Sequence, residues 1–444
     1  MIELKNSKIF VLGMARSGYE VSKYLSKYDN EIIVTDAKEQ ESSRVQELES
    51  LGIKVVITDK PEELLNNTYN VVIKNPGIKY TNPLIVKANS LSIPVINEVE
   101  AASYFFPENL QVIGVTGSNG KTTTTNLINE MLKAAGKKVI MAGNMGIPVC
   151  SILNDLDSDT ILLLEISIQQ LCNMNHFKTN VSVLTNLTPT HIDFLDTYEN
   201  YKNTKKRIFN NHTDKDIAIL NLNNNDEIEL TKDIKSHKVY FSSSCNTDIC
   251  INDDYITYFG EKIIKLEDIK LQGMHNYENA CCAIGAVKHY NVDNAAIIKV
   301  LKEFGGVEHR LEYVRTLNNV EYYNDSKATN TVSTTIALKA FNKPTILIMG
   351  GLDRGHSFEP LNDYMKNVKL VVCYGQTKNR IEKWADSLNI AVKVVDNLHD
   401  ATMYANSKAL PGDVILLSPA CASWDQYKCF EDRGTEYKTI VNGL

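Results

Sequence analysis

Residues 114–125 read GVTGSNGKTTTT. An apolar run, Val112–Val115, leads into a glycine turn. Lys121 and four threonines follow, and then a helical pattern in which Leu127, Ile128, Met131, Leu132 and Ala135 share one face before Gly136. Strand, glycine turn and helix N-terminus in that order make a phosphate cradle. Glycines let backbone N–H groups turn toward an anion, and the helix start adds partial positive charge. The common spacing is GxxxxGK[ST]. Here Val115 stands five before Gly120, so the loop is a shorter form: Gly117, Ser118, Asn119, Gly120, Lys121, Thr122, with Thr123 next. Lys121 has the reach for terminal phosphates, and Thr122 offers a hydroxyl to Mg²⁺.

The same strand–helix rhythm runs outward in both directions. Before the loop come KIFVLG, a helix over Tyr19–Lys27, EIIVTD, KVVIT and NVVIKNPG, then a connector at Asn97–Pro107. After it come strands at Val139–Ala142, Ile161–Ile166, Val181–Asn186 and Ala218–Asn221, short strands and turns over 238–272, and a helix in GMHNYENACCAIGAVKHY. From Val307 the strands are EYYNDS, TILIMGG, LVVCYG, VKVVD and DVILLSPA. Alternating strands and helices imply parallel sheets. The expected fold is α/β in three domains: a Rossmann-like domain over 1–99, a central P-loop ATPase-type parallel sheet over 100–306 and a second Rossmann-like domain over 307–444.

Composition narrows the class. A chain of 444 residues exceeds one ordinary core, and 43% hydrophobic with 23% charged residues is globular usage. A net charge of −7 argues against a general nucleic-acid partner. Nine cysteines with no CxxC pair suit a reducing cytoplasm. No apolar run approaches the ~18 residues of a membrane span, and MIELKNSKIFVLG enters a strand at once, so no signal peptide is read.

Other chemistry-bearing residues gather at strand ends, where open α/β sheets bind ligands. Glu165 ends ILLLE, and an acid there either holds a cation or sits at the surface. His191 and Asp193 follow the strand VSVLTN. YKNTKKRIF is a basic helical stretch that reads by itself as a solvated face. DSKATN, 325–330, follows EYYN, with Asp325, Lys327 and Thr329 alternating along an extended segment. Arg354 follows TILIMGG, and LLSPACASWDQYKCFEDRG brings Ser418, Ser423 and Phe430. Cations and hydroxyls at several strand ends suit a small anionic substrate, and an arginine fork matches a carboxylate.

Taken together, TGSNGKTT, EIS, GMHNYEN, EHR, DSKATN and LLSPACAS resemble the Mur ligases of bacterial cell-wall synthesis over essentially the whole chain. The resemblance implies a first domain for a UDP moiety, a central ATPase and a third domain that closes over both. Gly13, Arg16 and Ser17 of GMARSG would cradle the diphosphate, with Asp36, Asn75 and Gly77 near the uridine. Lys121 and Thr122 would bind the ATP phosphates and a first Mg²⁺, with Glu165 as a further ligand and His191 on a second Mg²⁺. Lys205, with Lys206 as the slip candidate, matches a lysine that becomes a CO₂-derived carbamate, an anion that helps hold metal. Asn144 would contact the muramoyl group. Asn279 and Arg310 would contact the nucleotide and Asp325 its ribose, with Lys327 close to the reacting phosphate. Thr329, Arg354, Ser423 and Phe430 would hold the amino acid.

The implied reaction is ATP-driven joining of D-glutamate to UDP-N-acetylmuramoyl-L-alanine through an acyl phosphate, by a cytoplasmic monomer. Three departures touch the details. Arg354 stands where some members have lysine, Ile168 replaces a serine after Glu165, and Trp424 replaces a leucine. Competing readings are a sister ligase with another amino acid, an oxidoreductase using the first domain for NAD(P), and a nucleotide switch. The second meets an imperfect GxGxxG, with Ala15 as its middle glycine, and the third leaves the strand-end polar groups unused.

Overall fold

The structure is a computed structural model that describes residues 2–189, 192–243, 247–252 and 254–444. The chain forms two compact units, Met1–Phe304 and Gly305–Leu444.

The first unit holds two sheets. One contains β1 (Lys8–Leu12), β2 (Glu31–Asp36), β3 (Lys54–Ile57), β4 (Val71–Lys74) and β5 (Val95–Ile96), all parallel in the order 3-2-1-4-5. The order reverses at β1, so the segments after β1 and β4 lie side by side at a switch point, the usual ligand crevice. The other sheet contains β6 (Gln111–Thr116), β7 (Val139–Gly143), β8 (Ile161–Glu165), β9 (Val181–Leu184), β10 (Ile217–Asn221), β11 (His237–Ser242), β12 (Ile249–Ile251), β13 (Tyr255–Tyr258) and β14 (Glu261–Lys265). Its order is 14-13-12-11-10-9-6-8-7, parallel except for the β12–β13 and β13–β14 pairs.

Side chains alternate across each strand, so one strand feeds two cores. Along β8, Ile161 and Leu163 join the cluster around Leu127, Ile128, Met131 and Ile284, while Leu162 and Leu164 join a cluster that continues to Ile9, Val11 and Ile73 of the first sheet. That shared cluster welds the two sheets into one unit. The connector expected at Asn97–Pro107 is in fact a buried helix, Glu98–Ser103. Glu98 and Glu100 are sealed in, where their carboxylates accept the backbone N–H groups of Cys150 and of His176 and Phe177. The first long helix runs Arg16–Leu25, three residues earlier than its pattern suggests, with Gly18 in its first turn, where the Gly18 N–H donates to Asn75 Oδ1 (3.1 Å).

The second unit is one sheet: β15 (Glu312–Leu317), β16 (Val320–Asn324), β17 (Thr345–Gly350), β18 (Val368–Tyr374), β19 (Ala391–Val394) and β20 (Val414–Leu417), in the order 15-16-20-17-18-19. All neighbours are parallel except β15–β16. β15 was not expected from the sequence. Asn318 and Asn319, both at positive φ, make the two-residue turn that folds it back on β16.

Arg433 ties the strand ends of this unit together. It is fully buried, donating through Nε to Ser326 Oγ (2.9 Å), through Nη2 to Ser326 O (2.8 Å), and through Nη1 to Cys421 O (3.1 Å) and Gly350 O (3.4 Å). Arg433→Met would leave those acceptors buried without donors. It is expected to cost about 3 kcal/mol or more, seen as a lower urea midpoint; an unchanged midpoint would show that the contacts carry little net stability.

Candidate active site

The phosphate loop leaves β6 at Thr116. Gly117 (φ 146°) and Gly120 (φ 78°) take conformations that disfavour other residues, and a Cβ on either would overlap Thr185 Oγ1 or Asn279 Oδ1. The loop is braced from outside. Ser118 Oγ lies 2.8 Å from Tyr201 Oη and donates to Thr188 O (3.0 Å), and the Asn119 N–H donates to Asn186 Oδ1 (2.9 Å). Helix Lys121–Ala134 starts at Gly120 with no side-chain cap and no acid in its first turn. The first-turn amides at Lys121, Thr122 and Thr123 therefore face an anion-attracting end. Lys121 Nζ folds back onto Gly117 O (2.9 Å) and Ser118 O (3.0 Å). Asn279, buried at the loop's flank, accepts from Thr124 Oγ1 (3.3 Å).

A strand end and a neighbouring helix bring opposite charges to the loop. Glu165, at the end of β8, is 3% exposed; Oε1 accepts from Asn144 Nδ2 (2.8 Å), and Oε2 is buried with no hydrogen-bond partner. A buried carboxylate oxygen without a partner is costly unless a cation completes it. Lys205 projects from helix Tyr198–Lys206 to the other side of the loop. It is 1% exposed and donates to Thr116 Oγ1 (2.8 Å) and Gly117 O (2.9 Å). Burial first, and the charge of Lys121 second, hold its pKa well below the ordinary lysine value. Lys206 turns the other way, into an ion pair with Asp233 (2.5 Å). His191 lies outside the described residues.

A second uncapped helix start, Arg16–Leu25, follows β1. Asn75, after β4, locks the segment between them: its Oδ1 accepts from Ser17 Oγ (2.7 Å) and Gly18 N (3.1 Å). Gly13 (φ 92°) is needed because a Cβ there would overlap Asn75 Nδ2. Asp36 Oδ2 accepts from Met14 N (2.8 Å), and Arg16 Nη1 donates to Gly146 O (3.4 Å), two residues from Asn144. Gly77 follows in the same turn as Asn75, and Arg16, Ser17, Asp36, Asn75 and Gly77 thus share one end of the sheet.

In the second unit, Asp325 follows β16. Its Oδ1 accepts from Leu311 N (3.2 Å) and its Oδ2 from Ser418 Oγ (2.8 Å), while burial pushes its pKa up to about 7. The DSKATN segment is a turn closed by Ala328 N donating to Asp325 O (2.9 Å), not the extended run expected, because Arg433 grips both Ser326 Oγ and Ser326 O. The turn puts Arg310, Asp325 and Lys327 around a cavity of about 120 Å³ that Ser333 and Ile336 also line. Lys327 Nζ lies 5.5 Å from the centre of the Phe430 ring. Thr329 is half-buried after the turn. Arg354 is exposed and stacks on Trp424 (4.7 Å), next to Ser423, whose buried Oγ has no partner.

Residues 7–97 match the Mur ligase MurD-like N-terminal domain, 115–287 the Mur ligase middle domain, and 309–421 the Mur ligase glutamate ligase domain. The chain belongs to the Mur ligase family. It is 42% identical to UDP-N-acetylmuramoylalanine–D-glutamate ligases of Bacillus cereus AH187 and Bacillus thuringiensis Al Hakam, over 100% of this chain and 99% of each relative. Among solved structures it resembles MurF of Acinetobacter baumannii (TM-score 0.59, 14% identity, 98% and 93% of the two chains). It also resembles MurF of Thermotoga maritima in complex with ADP (TM-score 0.54, 18% identity, 100% of both). At such identities the structures speak for the Mur ligase fold alone.

Three residues of this Mur ligase escaped the sequence reading. Tyr201 was legible as the i−4 neighbour of Lys205 on one helix face. Arg433 sat unremarked in FEDRG, and Lys74 ends an otherwise apolar, fully buried strand. Lys205→Ala is expected to lower turnover at least ~100-fold, and Lys206→Ala to stay within about twofold because an exposed ion pair contributes little. Steady-state assays of both variants check this; the reverse ranking would move the role to Lys206.

Proposed function

We propose that this chain joins D-glutamate to UDP-N-acetylmuramoyl-L-alanine through an amide bond, using ATP, as a step in making peptidoglycan precursor. Full-length identity of 42% to ligases named for that reaction carries the reading. The division into 1–99, 100–306 and 307–444, with one sheet each, goes with it, as does a cytoplasmic monomer. No described helix is long and apolar enough to cross a membrane.

The residues present fit a nucleotide and a cation. Two glycines at positive φ shape the loop, the helix start at Lys121 is uncapped, and Glu165 keeps one buried oxygen without a partner. In our reading Gly117–Thr123 and Lys121 bind the triphosphate, Asn279 and Arg310 the nucleotide, and Asp325 the ribose. Thr122, Glu165, His191 and a carbamate on Lys205 would hold Mg²⁺, two ions in all. Bound Mg²⁺ would supply positive charge that lets a carboxylate approach a triphosphate.

Lys205, its pKa held well below the ordinary lysine value by burial, is the nucleophile for CO₂. Its carbamate would place a negative charge beside Lys121. Gly13, Arg16, Ser17, Asp36, Asn75 and Gly77 bind the UDP portion and Asn144 the muramoyl portion. Thr329, Arg354, Ser423 and Phe430 hold D-glutamate. The unpartnered Ser423 hydroxyl and the exposed Arg354 guanidinium suit a dicarboxylate.

The muramoyl-alanine carboxylate attacks the γ-phosphate, giving an acyl phosphate and ADP. Lys121 and the loop amides offset the charge that develops, and Lys327 is assigned to the same phosphate. The amine of D-glutamate, having lost a proton, then displaces phosphate from the acyl carbon.

Phosphate release with ATP, Mg²⁺ and UDP-N-acetylmuramoyl-L-alanine tests the reading, adding D-glutamate, L-glutamate, L-alanine, L-lysine or diaminopimelate in turn. Turnover with D-glutamate alone is expected. Turnover with a different amino acid would keep the ligase and overturn the acceptor.

A further inference from the structure

Lys74 ends β4 with its side chain 1% exposed, and no described carboxylate pairs with it. Its Nζ donates to three carbonyls of the turn that follows: Asn75 O (3.4 Å), Pro76 O (3.2 Å) and Ile78 O (3.0 Å). The Tyr80 ring closes over it at 5.4 Å. A buried ammonium whose acceptors all lie in one turn fixes the direction of those peptide units.

The described peptides are all trans, so each N–H points opposite to its C=O. With Pro76 O and Ile78 O drawn toward Lys74, the N–H groups of Gly77 and Lys79 face away from it. Neither N–H has an acceptor among the described residues. The ammonium also polarises those amides from behind, in a low-dielectric setting where a charge is felt strongly. The same turn carries Asn75, whose side chain sets Ser17 and Gly18. One buried cation thus shapes two candidate anion-facing segments at the switch point of the first sheet.

We propose that Lys74 is a positioning residue for the UDP-bearing substrate, holding the Asn75–Ile78 turn so that its outward amides and Asn75 meet the uridine diphosphate. The inference rests on the reading that this turn binds the UDP portion. Lys74 touches no substrate itself. Its action is on affinity for one substrate and not on the chemical step.

The test compares Lys74→Met, which keeps the stem length and removes the charge, with Asn75→Ala and the unmodified full chain. Folding is checked by thermal melting. A rise of tenfold or more in KM for UDP-N-acetylmuramoyl-L-alanine is expected for Lys74→Met, with kcat and the KM for ATP within twofold. Folded Lys74→Met with an unchanged KM overturns the proposal. If Asn75→Ala still raises that KM, the turn keeps its assignment and Lys74 alone fails. If neither variant moves it, the turn is not the UDP site and both readings fall.

Should Lys74→Met not fold, the pH dependence of the unmodified chain decides. Burial lowers the Lys74 pKa to about 8. The ammonium is discharged as pH rises through that value, so affinity for the UDP substrate should fall there while affinity for ATP does not. The titratable groups facing Lys74 are the Tyr80 phenol and the Cys172 thiol, both pushed above their ordinary values by burial. A UDP-substrate affinity flat from pH 7 to 9 would overturn the proposal.

Discussion

A single carbonyl, Gly117 O, accepts from two ammonium groups, Lys121 and Lys205, each at 2.9 Å. Two like charges meeting at one buried acceptor repel, and with burial this holds the Lys205 pKa well below the ordinary lysine value. Negative charge brought to the loop relieves that repulsion. The surrounding structure admits such charge: the helix start is uncapped and no acid occupies its first turn. Glu165 stands on the next strand with an oxygen still to be satisfied. The loop's geometry and its appetite for anions therefore have one origin.

The first and third sheets solve the same problem with different parts. Each places a turn just past a central strand and pins it from beneath with a buried cation that has no ion-pair partner among the described residues. Lys74 grips the Asn75–Ile78 turn through carbonyls alone, and Arg433 grips the Asp325–Ala328 turn through one carbonyl and one hydroxyl, both of Ser326. Burying such a charge is tolerable because every acceptor it meets is a strong dipole within hydrogen-bond range. In return the turn above has little freedom, which is what a site needs from its supporting residues.

The strands were legible because they are uniformly apolar runs ended by glycine or by a polar residue, as in ILLLE and TILIMG. The glycine loop and the strand-end residues were legible for the same reason. What escaped depends on partners far along the chain. NEVEAAS reads as a connector because two glutamates look exposed; both are buried on backbone N–H groups some 50 to 80 residues away. β15 hid behind Asn318-Asn319, a hairpin turn without the expected glycine. Lys74 was silent because its acceptors are backbone carbonyls, which no residue letter reports. By itself the basic stretch at 201–209 could not separate Lys205 from Lys206; the fold does, sending one into the loop and the other to Asp233.

Three open sheets have six outermost strands, and unpaired strand edges invite other chains to join them. Here every outermost strand carries a deterrent. β3 begins with the exposed Lys54, β14 carries Glu261, Lys262 and Lys265, β15 carries Glu312 and Arg315, and β19 exposes Lys393. β5 is only two residues long, and β7 is preceded by Lys137 and Lys138. Charge placed where backbone hydrogen bonds go unmade makes each of these edges a poor template for a further strand.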